Sequence, residues 1–170
     1  HIEGEGTAEQ LATALRKLFD ASDAVRAKAA QPVALRDATL PAGPSAITPA
    51  ALETVFGGAK AAVQAGMAKF VWGRTATRDC GCAVGKEMGI NTWATFAGTD
   101  ARAVVAGDFA VHEDELQGVL KSLTSRGIAV TAIHQHMTGE TPRTMFLPYW
   151  GKGAATDLAA AVRDTLKLTP

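Results

Sequence analysis

The residues best suited to chemistry are His134 and His136, separated by Gln135. Side chains alternate along a strand. Ile128, Val130, Ala132, His134 and His136 then share one face, and Ala129, Thr131, Ile133, Gln135 and Met137 share the other. Two imidazoles on neighbouring pleats have Cα atoms roughly 6.5–7 Å apart, and both can reach one ion at about 2.0–2.1 Å. Glu140, in the turn that follows, is placed to fold back as a third ligand or as a base. The metal set read from the sequence is therefore His134, His136 and Glu140, suited to a divalent transition metal such as Zn or Cu. A small non-metal ligand, or two histidines merely hydrogen-bonded in a polar cleft, fits the same pattern.

Further polar residues are candidates for the same site. Asp108 follows Gly107 in the strand before a helix, where a carboxylate can order a histidine from behind; a turn or bulge residue is the plainer reading. Arg143, after Pro142, suits an anionic ligand or an ion pair with Glu140. His112 stands where a strand gives way to an acidic helix start, as a local cap or a ligand contact. The expected ligand-binding set is thus Glu140, Arg143, His112 and Asp108. Cys80 and Cys82 are two residues apart, a spacing that rarely meets disulfide geometry, so a bridge there would be strained and reducible. As thiolates they suit Cu(I), with Met137 and the histidines completing a copper-handling set. The alternative is buried or redox-active thiols. Trp72 and Trp93 read as core, or as the lining of a ligand cleft.

These residues need a frame. Thr48-Pro49 opens a helix with Leu52, Val55 and Phe56 on one face, and Gly57-Gly58 stops it. Residues 67–72, 92–97 and 103–111 read as strands, and 74–91 as irregular. The spacing of Leu116, Val119, Leu120 and Leu123 predicts a helix over 113–125, with Glu113, Asp114 and Glu115 favoured by the dipole in its first turn. Residues 128–137 and 143–149 are expected strands, and 154–167 a closing helix. From residue 103 the order is β-α-β-β-α. That order predicts an α+β fold, with an antiparallel or mixed sheet and helices packed on one face. The crossover from 103–111 to 128–137 is expected to be right-handed if those strands are parallel.

Composition narrows the function classes. Of 170 residues, 47% are apolar and 20% charged, and Lys plus Arg equals Asp plus Glu at 17 each. Such a chain has a sizeable core and no bulk field for nucleic acid or an anionic membrane. No apolar run is long enough to span a bilayer. The expected partners are a small ligand or a metal, with no nucleic acid and no membrane span.

The two ends resemble each other. Gly4, Gly6, Ala8, Leu11, Ala12, Ala14 and Arg16 recur as Gly151, Gly153, Ala155, Leu158, Ala159, Ala161 and Arg163, all at an offset of 147 (151 minus 4). Ala-rich helices resemble each other easily, but the matched Gly-x-Gly entry and closing arginine favour duplication. Residues 1–20 are then the closing helix of a preceding repeat, 21–47 a Pro-rich linker and 48–170 a complete domain. Packing against a second repeat or a second copy follows as an expectation.

Gly107-Asp108-Phe109-Ala110-Val111, Gly127 to Met137 with its His134-Gln135-His136, Glu140-Thr141-Pro142-Arg143, Phe146-Leu147 and Tyr149-Trp150 together resemble the LppY/LpqO family. These are bacterial lipoproteins and secreted proteins, usually carrying tandem copies. The resemblance implies a periplasmic or secreted setting and no established reaction. It matches both histidines. The family commonly has a third histidine where this chain has Pro148, and His1 aligns with Pro148 under the same offset. The leading expectation is an extracytoplasmic binding domain holding a transition metal or small ligand through the His-x-His strand. Alternatives are a metal-assisted hydrolase or oxidoreductase using the same histidines, and a structural or interaction domain with incidental histidines.

Overall fold

The computed structural model describes residues 4–28 and 43–170. The chain divides into two compact units, His1–Thr39 and Leu40–Pro170. In the first, helix α1 (Ala8–Arg26) opens with a capping box: Gln10 N donates to Thr7 Oγ1, and Thr7 N donates to the Gln10 side chain. It runs past residue 20 because Ala21 to Arg26 contains no helix breaker. Leu11, Leu15, Leu18 and Val25 form one apolar stripe, interrupted only by Ser22, yet no residue of the helix is buried, and Phe19 is 53% exposed. Residues 29–42 of the expected linker, and His1, lie outside the described residues.

The second unit is α+β. Its helices are α2 (Pro49–Val55), α3 (Leu116–Ser125) and α4 (Ala155–Leu166). Its strands are β1 (Ala62–Gln64), β2 (Met67–Gly73), β3 (Ala76–Arg78), β4 (Ala83–Val84), β5 (Asn91–Thr99), β6 (Arg102–His112), β7 (Ala129–Val130), β8 (Glu140–Thr141) and β9 (Thr144–Gly153). Six strands form an antiparallel sheet in the order β1-β2-β5-β6-β9-β7. Strands β6 and β7 both run antiparallel to β9, so they are parallel to each other, with α3 in the crossover between them.

Each long strand alternates, so each presents one residue set per face. Phe70, Phe96, Phe109 and Tyr149 point one way and pack under the helices, against Leu52 of α2, Val119 and Leu123 of α3, and Leu158 and Val162 of α4. The other face carries a second, three-stranded sheet in the order β4-β3-β8. A small cluster of Ala76, Val84, Ile90, Ala110, Met137 and Phe146 joins the two sheets. The short strands β3 and β4 fall within a stretch that reads as irregular, because two- and three-residue strands carry no period.

The expected strand over 128–137 is regular only through β7. Thr131 N donates to the Pro148 carbonyl at 2.8 Å. In an antiparallel ladder a residue's N–H and C=O face the same neighbour, so the return bond would come from Pro148 N–H, which proline lacks. The ladder stops there. Pairing resumes at one bridge, where His134 and Phe146 exchange both backbone bonds at 3.0 and 2.7 Å. In β7, Ala129 opposes Trp150 and Val130 opposes Tyr149, so paired numbers sum to 279; His134 and Phe146 sum to 280. One extra residue has entered, which is a bulge.

That bulge corrects the facing expected from simple alternation. Ile128 and Val130 stay with the helix-side core. The histidines do not share that face: His134 opposes Phe146, a residue of the opposite side. Helix α3 also starts later than expected, because Glu115 turns back as its N-cap residue instead of continuing a turn begun at Glu113.

Candidate metal centre

Three elements converge on the outer face of the six-stranded sheet. Asp108 comes from the middle of β6, paired with Trp93 on one side and Pro148 on the other. His134 comes from the isolated bridge, and His136 lies two residues further on. The ring centroids of His134 and His136 are 5.1 Å apart, so the two imidazoles do meet. One ligand atom from each of Asp108, His134 and His136 lies within 4.8 Å of the others, a group that could hold a metal ion.

The environment of each group differs. Asp108 is 8% exposed, and its Oδ1 is buried without a hydrogen-bond partner. Burial pushes its carboxyl up to about 7, since a charge with no partner is costly out of water. His136 lies flat on Phe146, with centroids 3.4 Å apart and planes 4° apart. Burial lowers its pKa, and neighbouring His134 lowers it further; a hydrogen bond with the Gly89 backbone acts the other way. A neutral ring is the form that ligates a metal. His134 is exposed and forms the solvent side of the group.

The sheet holds Asp108 in place from beneath. Tyr149 is fully buried in the helix-side layer, and its hydroxyl donates to the Trp93 carbonyl at 3.0 Å. Burial, and then the Asp108 charge, raise the Tyr149 hydroxyl far above its ordinary range, so it stays a donor. Gly107 makes this approach possible: a Cβ there would collide with both the Trp93 carbonyl and the Tyr149 ring.

The other sequence candidates fall elsewhere. Glu140 lies in β8 opposite Arg78, and its Oε1 accepts from Thr144 N at 3.3 Å. Its Oε2 is buried without a hydrogen-bond partner, but it is not in the three-residue group. The carboxyl that lies with the two imidazoles is that of Asp108. Arg143 is exposed. His112 does not cap the helix; instead Glu115 Oε2 accepts from His112 N at 2.8 Å. Arg74 completes this corner, bonding Glu115 Oε1 at 2.9 Å, His112 Nδ1 at 3.1 Å and the Ala110 carbonyl at 3.1 Å. Burial, the largest single influence, opposes ionisation of Glu115, but the Arg74 hydrogen bonds, the His112 backbone bond and the Arg74 charge together outweigh it, and its pKa is lowered.

Cys80 and Cys82 are joined as a disulfide, and both are exposed. They are therefore neither thiolate ligands nor buried thiols here. Trp72 packs on Phe56 and Phe70 and also lines a cleft of about 340 Å³ with Arg74, Arg163 and Lys167. None of the residues lining that cleft belongs to the histidine group.

The fold and this group define an α+β domain with a two-histidine, one-carboxylate cluster on the face of the antiparallel sheet away from the helices. The chain belongs to the family described as Domain of Unknown Function (DUF1259), whose model matches residues 50–168. No curated protein and no solved structure matches the chain. Among the described residues no helix is long and apolar enough to cross a membrane.

Proposed function

We propose that this domain binds one divalent transition metal through Asp108, His134 and His136. The observation that carries this reading is that one oxygen of the buried Asp108 carboxyl lies within 4.8 Å of a ring nitrogen of each histidine, in a carboxyl whose Oδ1 has no hydrogen-bond partner. Nitrogen and carboxylate donors suit Zn(II) or Cu(II), and the bridged cysteines leave no thiolate to favour Cu(I). Three protein ligands leave a fourth position open on the exposed His134 side, where water or a small ligand would bind. The test is metal content per chain after equilibrium dialysis against zinc. The wild type is expected to hold one equivalent, and His134→Ala, His136→Ala none. A wild type without stoichiometric metal, or a variant that retains it, overturns the reading.

A second reading concerns partners. We infer that α1 closes a preceding copy of the same domain. Ala8, Leu11, Ala12, Ala14 and Leu15 match Ala155, Leu158, Ala159, Ala161 and Val162 of α4, all buried against the sheet. The same face in α1 has no buried residue, and a lone helix of that length is marginal in water. Replacing 154–166 by 7–19 is expected to preserve the cooperative unfolding of the domain; its loss would remove the equivalence. An extracytoplasmic setting fits an exposed disulfide. Protease protection of the protein in intact cells, lost on breaching the envelope, tests it.

A further inference from the structure

The disulfide sits at the tip of the β3–β4 hairpin. Arg78 N donates to the Cys82 carbonyl at 2.9 Å, and Gly81 N to the Arg78 carbonyl at 2.8 Å, closing a tight turn around Cys80. Both flanks of this turn touch the segment that carries His136. On one side, Asp79 N donates to the Gly139 carbonyl at 3.0 Å, three residues beyond His136. Gly139 is left-handed, and a Cβ there would collide with the Asp79 carboxylate. On the other side, the chain leaves β4 and turns through Lys86–Met88 to Gly89, whose backbone hydrogen-bonds the His136 ring. Beneath the hairpin, Ala76 and Val84 pack with Met137 and Phe146. The hairpin thus holds the segment after His136 through Asp79, the chain that leaves it holds the His136 ring through Gly89, and Ala76 and Val84 support the ring on which His136 stacks.

From this arrangement we infer that Cys80–Cys82 is a thiol–disulfide exchange site whose state governs the geometry, and so the metal affinity, of His136. The exchange partner is a dithiol. Its thiolate attacks one Sγ, forming a mixed disulfide and releasing the other cysteine as a thiolate, which takes up a proton. The second thiol of the reductant, losing its proton, then attacks the mixed disulfide and releases the first cysteine as a thiol. Two electrons pass to the protein, and the reductant leaves as a cyclic disulfide. Because both cysteines are exposed, the attack needs no unfolding. Reduction removes the covalent closure of the turn and loosens both of these holds. Outer partners of a metal-bound histidine typically carry about 10- to 100-fold in affinity.

For its effect on affinity this inference rests on the metal reading above, so two readouts are needed. Zinc affinity is measured by chelator competition on the oxidised chain, on the chain reduced by dithiothreitol and freed of reagent without air, and on Cys80→Ser, Cys82→Ser. The expected result is about tenfold weaker binding in the last two, restored by reoxidation of the wild type. Separately, His136 ring resonances are followed in metal-free protein and are expected to move on reduction. Equal affinities in all three samples overturn the inference. So does tighter binding in the reduced chain alone, which would make the thiols ligands. If the oxidised chain binds no zinc, the metal reading fails by itself. Unmoved His136 resonances would then overturn the coupling, and shifted ones would uphold it.

Discussion

The two faces of the six-stranded sheet follow opposite rules. Under the helices, a continuous layer led by Phe70, Phe96, Phe109 and Tyr149 leaves its largest side chains almost without solvent contact. On the other face, six buried residues make up the apolar cluster joining the small sheet, and a carboxylate and two imidazoles lie alongside them. Two of the buried or half-buried acids have contrasting surroundings. Glu115 is matched by Arg74 and has a lowered pKa, whereas Asp108 has no such match and titrates at about 7. One face carries the packing that stabilises the fold, and the other sets a buried carboxyl oxygen without a hydrogen-bond partner beside two imidazoles.

The sharpest way to break this contrast is Phe109→Ala. Truncating a fully buried phenylalanine costs about 3–5 kcal/mol, read as a lower urea midpoint, while zinc affinity of the folded fraction stays unchanged. Asp108→Asn should do the reverse, weakening zinc binding at least tenfold, about 1.4 kcal/mol, in a chelator titration.

That second variant also tests the pH dependence. Asp108 is raised from 3.8 to about 7. Between those values the folded chain holds a proton that the unfolded chain has lost, so metal-free stability falls as pH rises from about 4 to about 7. The fall should be absent in Asp108→Asn. Glu115 acts with the opposite sign: its stabilisation is present above its unfolded value of 4.5 and fades as pH drops below it. Urea unfolding from about pH 3 to about pH 8 in wild type and Asp108→Asn separates the two, and identical profiles would show that Asp108 does not carry the effect.

Smaller effects refine the picture. Gly107→Ala is expected to cost about 1–3 kcal/mol by overpacking against Tyr149, seen as a lower melting temperature. Phe146→Leu keeps most of the volume and should cost under about 1.5 kcal/mol. It should still loosen zinc binding a few-fold by removing the ring beneath His136.

Much of the fold was legible because it is periodic. The strands 92–97 and 103–111, the Leu116–Leu123 helical face and the closing helix follow directly from spacing. The site was legible in part. Alternation correctly brought His134 and His136 together, but it assigned them to the Ile128 face, because a bulge leaves no mark in local periodicity. Sequence proximity favours Glu140 as the metal carboxylate and gives Asp108 only a place in the ligand-binding set or behind a histidine. Only the register of β6 against β9 sets Asp108 beside the histidines, and register between strands so far apart in the chain is not written in either strand alone. The spacing of Cys80 and Cys82 makes a bridge uncommon without excluding it, and the hairpin that carries the bridge is built of strands too short to announce themselves.

Pro148 has a last consequence. With no hydrogen to offer the neighbouring strand, it ends β7 and makes room for the extra residue that turns the imidazoles outward. Finding kindred centres in other genomes by their paired histidines alone would therefore collect chains whose rings point into the helix layer. What would separate them is whether pairing with the last strand slips by one residue before the first histidine.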